Sequence, residues 1–154
     1  MAAAIDIELP QADRELFEKE VAGFIKIEEK RRKENKGTLV TSLKEFGFRV
    51  PLAEGINLTG FIDRVDIFER EGQYIASIID YKSNRLNNSH AAEEKASNYK
   101  EQLLSYAWAL NQIPFYNGKK VIVEEALLYF LNNGEVVSIE LRKEDIEGVV
   151  EALI

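Results

Sequence analysis

The chain has 154 residues, of which 45% are hydrophobic, enough for one domain with a two- or three-layer core and too apolar for a disordered chain. It contains no cysteine, which excludes disulfides, cysteine-ligated zinc and iron–sulfur clusters. A formal net charge of -7, from 27 acidic and 20 basic residues, argues against a surface that binds polyanions everywhere, while leaving room for a local nucleic-acid channel.

Residues 1–15 show no basic region followed by an apolar run of signal length, and no later stretch approaches the ~20 apolar residues that span a bilayer. A soluble, cytoplasmic protein without a membrane partner is the expectation. From about Gln11 to Lys36, Leu16, Phe17, Val21, Phe24, Ile25 and Ile27 recur at spacings of mostly three and four, predicting a helix with one buried face. Its basic residues Lys26, Lys30, Arg31, Arg32, Lys33 and Lys36 are interleaved with Glu28, Glu29 and Glu34, which reads as a solvated, ion-paired face more readily than as a DNA contact.

Three strands are expected next, over about 43–52, 57–69 and 74–81, the last two joined by a turn at Glu71-Gly72. Together they predict an antiparallel meander that carries Asp80 near the end of a central strand. Residues 84–90 are polar and loop-like. A long helix fits about Ala91 to Leu110 and is stopped before Pro114; strands over about 121–131 and 135–141, turned at Asn133-Gly134, and a short amphipathic C-terminal segment complete the chain. The order describes one α+β (mixed α/β) unit.

Asp80 and Lys82 lie two positions apart on a strand, so both side chains leave the same face, about 6.5 to 7 Å apart. A carboxylate there can ligate a hard cation while the ammonium group stabilises phosphoryl charge. Such a pair on its own is more often a strand-end ion pair. Asp63 strengthens the pattern, because two carboxylates from neighbouring strands repel each other unless a cation lies between them. Asp66 has the opposite parity and is expected in a rim salt bridge, with Arg64 as a partner.

The ordered segments Leu58-Thr59-Gly60-Phe61-Ile62-Asp63-Arg64-Val65-Asp66, Ile78-Ile79-Asp80-Tyr81-Lys82-Ser83 and Gln102-Leu103-Leu104-Ser105-Tyr106 resemble the core motifs of the RecB/AddB branch of the PD-(D/E)XK nuclease superfamily. The resemblance implies a restriction-endonuclease-like central sheet flanked by helices, with residues 1–154 forming one nuclease domain of a helicase–nuclease system. It implies Asp63 and Asp80 as ligands of Mg²⁺ or Mn²⁺, a backbone carbonyl ligand from Ile79, Lys82 as the catalytic lysine, and Gln102 and Tyr106 as helix-borne partners. Glu45, in Glu45-Phe46-Gly47-Phe48, is an accessory candidate. Arg64, Lys82, Arg85 and Lys100 are candidate phosphate contacts. The implied reaction is metal-dependent hydrolysis of DNA, as an exonuclease acting on single-stranded ends in repair or recombination.

One departure qualifies this expectation. The histidine that the resembling family carries on an upstream helix is absent from Gly23-Phe24-Ile25-Lys26-Ile27, and the sole histidine, His90, stands elsewhere; Glu20 or Glu45 are substitutes to consider. No phosphate-binding loop of the Gly-x-x-x-x-Gly-Lys-Ser/Thr type is present, so a helicase motor would be a separate segment or subunit. A catalytically degenerate DNA-binding or scaffold domain is the alternative, and an unrelated interaction module would leave Asp63, Asp80, Lys82 and Gln102 dispersed.

Overall fold

The computed structural model describes residues 11–83, 91–114 and 116–154. In chain order it contains α1 (Gln11–Arg32), β1 (Thr38–Ala53), β2 (Ile56–Arg70), β3 (Gln73–Lys82), α2 (Ala91–Gln112), β4 (Ile122–Phe130), β5 (Glu135–Ile139) and α3 (Lys143–Leu153). The strands form one five-stranded sheet in the order β1-β2-β3-β4-β5, with α1 against one face and α2 and α3 on the other. This is a mixed α/β fold with a central sheet flanked by helices, as expected. The predicted loop at 84–90 lies outside the described residues.

The first three strands pair antiparallel, whereas β3 and β4 run parallel and are joined through α2, the crossover that parallel neighbours require. Central position explains the composition of β3. Ala76 and Ile78 enter the core under α2 together with Val65, Leu103, Ala107 and Leu128, while Ile79 turns to the other face and packs with Ile27, Leu127 and Tyr129. Both faces of β3 are covered, so Ile75 to Ile79 are all buried and apolar apart from Ser77, and the strand becomes only partly covered from Asp80 onward.

A change of facing in β1 and β2 sets up the site. Leu43 and Phe46, three residues apart, both pack against the α2-side core, as do Ile62 and Val65 on the partner strand. Strict alternation would place such residues on opposite faces. The strand pair therefore turns a corner between them, and Glu45, at the corner, has a φ of 50°, in the left-handed region that a non-glycine residue adopts at a cost.

Helix α1 departs from its expected orientation. Gly23, Ile27 and Arg31 are its buried residues, whereas Leu16, Phe17, Val21 and Ile25 are between 37% and 58% exposed. The reason is close approach: a Cβ on Gly23 would lie 1.7 Å from the Leu131 carbonyl oxygen, so the helix rests through its glycine on the turn between β4 and β5 and rotates the apolar stripe aside. This rotation also buries Arg31, which the sequence placed on a solvated face. Its guanidinium lies 3.4 Å from Asp66 and 3.5 Å from Glu125 and donates to the Tyr129 hydroxyl.

Candidate active site

Arg64 pairs with Ile79 across β2 and β3, so one step further along the ladder Asp63 stands opposite Asp80. Directly opposed residues share a face, which makes the two carboxyls neighbours. They hydrogen-bond to each other, and the Tyr81 backbone N–H donates to Asp63 Oδ2 at 2.8 Å. Burial, reinforced by the Asp63 hydrogen bond, pushes the Asp80 carboxyl up to about 6 against the opposing pull of Lys82. Lys82 Nζ is 2.8 Å from Asp80 Oδ2, so the same-face geometry expected of a two-residue spacing is present.

Helix α2 supplies the next layer. Gln102 Nε2 donates to the Tyr106 hydroxyl at 2.9 Å, which leaves the Tyr106 proton free to point elsewhere. Burial raises the Tyr106 phenol above its ordinary range, and the charges of Asp80, Lys82 and Asp63 all act on it, which locates the ring beside the triad. Tyr106 packs edge-on against Phe48 at 5.4 Å, and a Cβ on Gly60 would come within 2.8 Å of it, so β2 carries glycine where the ring lies against the strand. Tyr99 was missed by the sequence reading. Lys82 Nζ sits 3.8 Å from the centre of its ring, a cation–π contact that holds the ammonium group together with Asp80. Its signal was the 99, 102, 106 spacing, which places all three side chains on one helix face.

Glu45 occupies the register position opposite Asp63 on β1, between the pairs Lys44↔Arg64 and Phe46↔Ile62. It is exposed and, with Lys44, Asp63 and Tyr81, lines an open recess of about 600 Å³. Ile79 buries its side chain on the α1 face, so only its backbone is available to the site. Glu20, with Phe17, Val21, Phe24, Tyr81 and Leu131, lines a second recess, which shares Tyr81 with the recess that Asp63 and Glu45 line.

Arg64 is not brought to the pair. Its guanidinium grips Asp66 through Nε–Oδ1 and Nη2–Oδ2, each 2.8 Å, donates to Glu28 and reaches the Tyr81 hydroxyl at 3.3 Å. At 9% exposure it is a structural cation of the α1 face, in place of the expected phosphate contact. Asp66, expected at the rim, is 2% exposed and also accepts from Ser42 at 2.6 Å. Burial alone would raise its carboxyl, yet the hydrogen bonds from Arg64 and Ser42 hold it below the usual carboxylate range. Lys100 faces α3 and lies 3.7 Å from Asp145. Arg85 and His90 lie outside the described residues.

Among the described residues no group of three or more His, Asp or Glu side chains is placed to hold a metal ion. Two neighbouring carboxyls, one forced towards its neutral form by burial and by the other, are nevertheless a donor set that a hard divalent cation fits. Mg²⁺ is commonly held by one or two carboxylates and completes its shell with water and phosphate oxygens.

The profile of the PD-(D/E)XK nuclease superfamily matches residues 3–153. The chain belongs to that superfamily. No curated protein sequence matches it.

Proposed function

We propose that this protein is a Mg²⁺- or Mn²⁺-dependent deoxyribonuclease of RecB/AddB type, forming a single nuclease domain and working beside a fused or separate helicase motor on single-stranded DNA ends in repair or recombination. The observation that carries the reading is the convergence of Asp63, Asp80 and Lys82 from two adjacent strands at one end of the sheet. Asp63 and Asp80 would hold the cation, with the Ile79 carbonyl as a backbone ligand. Such an ion supplies Lewis acidity and a bound water of lowered pKa. The chain's own groups do the rest. The Tyr81 N–H fixes the direction of Asp63, and Lys82, held by Asp80 and the Tyr99 ring, presents positive charge where a phosphoryl group gains negative charge. Gln102 orients the Tyr106 hydroxyl towards the same place, and Glu45 at the mouth of the recess can accept from a water.

A second reading, a DNA-binding or scaffold domain without turnover, is favoured by the incomplete ligand set among the described residues. The two are separated by cleavage of labelled single- and double-stranded DNA with Mg²⁺ or Mn²⁺, comparing the native chain with Asp80→Ala and Lys82→Ala. Metal-dependent cleavage lost by at least a hundredfold in both variants is expected. Binding of DNA with no cleavage by the native chain, with or without an added helicase, would establish the second reading.

A further inference from the structure

The β1–β2 pairing continues to Pro51↔Asn57 and Ala53↔Ile56, well past the point where β3 stops pairing at Arg64. The result is a two-stranded ribbon projecting beyond the carboxyl pair. One face of it is occupied: Phe48, Val50 and Leu58 turn into the α2-side core. The alternate residues turn away, and among them Phe61 is 77% exposed, the highest value of any large hydrophobic side chain among the described residues.

Three features distinguish Phe61 from an incidental surface apolar residue. It lies opposite Gly47, where an added Cβ would come within 2.8 Å of the ring, so the phenyl group rests directly on the β1 backbone with its outer surface open. It stands two residues before Asp63, roughly one strand repeat of 6.5–7 Å from it. It also lies on the face opposite α2, to which Lys44 and Tyr81 belong; these two line an open recess with Glu45 and Asp63, so Asp63 is reached from the Phe61 side as well as from the α2 side where Lys82 and Tyr106 stand. Charge follows the same path. In a chain of net charge -7, the only charged residues from Phe46 to Ile62 are Arg49 and, at the hairpin turn, Glu54. Arg49 is exposed on the Phe61 face, Lys44 is exposed at the recess, and neither is ion-paired among the described residues.

An aromatic ring lying open between two unpaired cations is the arrangement by which proteins hold a single strand, the ring stacking on a base and the cations meeting flanking phosphates. We infer that the open face of the β1–β2 ribbon is a single-strand binding platform, on which Phe61 stacks with one unpaired nucleobase while Lys44 and Arg49 contact the adjoining phosphates. This rests on the nuclease reading and narrows it to substrates with an unpaired nucleotide next to the scissile bond, since a base within a duplex has no free face to offer.

The test measures binding of labelled oligothymidylate and of a blunt duplex, with Ca²⁺ in place of Mg²⁺, to the native chain, Phe61→Ala, Phe61→Tyr and Arg49→Ala. Phe61→Ala is expected to weaken single-strand binding about tenfold and duplex binding less than twofold, while Phe61→Tyr stays within twofold of native on both. Arg49→Ala is expected to flatten the salt dependence of single-strand binding by about 0.7 in log–log slope. Trp108 is the only tryptophan, so Phe61→Trp combined with Trp108→Phe places one fluorophore on the platform, and its emission should be quenched by oligothymidylate. Unchanged single-strand affinity in Phe61→Ala, an equal loss on both ligands, or no quenching would overturn the platform alone if the native chain still binds and cleaves DNA. A native chain that binds neither ligand would overturn the nuclease reading and the platform together.

Discussion

Replacing Asp80 with asparagine tests whether the carboxyl pair is a site under electrostatic tension. In the fold Asp80 titrates at about 6, raised by burial and Asp63, against about 3.9 for an unfolded aspartate. Below about pH 3.9 the group is protonated in both states and contributes nothing to the pH dependence of folding. Between these values the folded chain retains a proton that the unfolded chain has released, so stability falls as pH rises, and above about 6 the loss is complete. Two units of displacement correspond to roughly 3 kcal/mol, an upper figure because the site relaxes. Asparagine resembles the neutral carboxyl in shape and does not titrate. Asp80→Asn is therefore expected to be about 1–3 kcal/mol more stable than the native chain at pH 8 in EDTA, with the advantage vanishing towards pH 4. Urea unfolding followed by circular dichroism at both pH values measures this. Divalent cation should then reverse the order: at a hundred times its dissociation constant it adds about 2.7 kcal/mol to the native chain and little to the variant. A variant less stable than native at pH 8 without metal would refute the argument, since it would mean that the Asp80–Lys82 pair outweighs burial and the Asp63 contact.

Arg64→Ala leaves Asp66 buried beside a more distant Arg31, so a loss of about 3–5 kcal/mol is expected by urea unfolding; a variant of native stability with weakened DNA binding would return Arg64 to the role of a phosphate contact. Gly23→Ala improves helix propensity yet drives a methyl group into the Leu131 carbonyl, and a net cost of about 1–3 kcal/mol is expected in the same assay. A stabilised Gly23→Ala would show that α1 does not approach the sheet this closely.

Strand and helix order, the antiparallel meander and the place of Asp80 were legible because they depend on short-range periodicity and on turn residues such as Glu71-Gly72. The Asp63, Asp80 and Lys82 set was legible for a related reason: parity fixes facing within a strand, and antiparallel neighbours bring opposed residues together. What escaped depended on contacts distant in sequence. Asp66 was assigned to the rim because Arg31, 35 positions away, gave no local sign that it would cover it. Arg31 itself was misplaced because a hydrophobic stripe identifies a helix without saying which turn approaches the sheet, and the decisive residue was Gly23, which carries no hydrophobic signal. Glu125, one of two acids in the mainly apolar β4, is explained by the same network: it lies on the α1 face within reach of Arg31, Lys36 and Ser77. The ladder irregularity between Ala76 and Ser77 leaves its neighbour Glu124 to pair with Arg70.

Tyr81 spans two concerns with one residue. Its amide steadies Asp63, and its hydroxyl meets Arg64 in the layer beneath. A relative without nuclease activity would still need Tyr81, Arg64 and Asp66 to keep its sheet and first helix together, so their presence is no sign of a working enzyme. Lys82, whose side chain meets Asp80 and the Tyr99 ring and takes no part in that network, is the more telling position to compare.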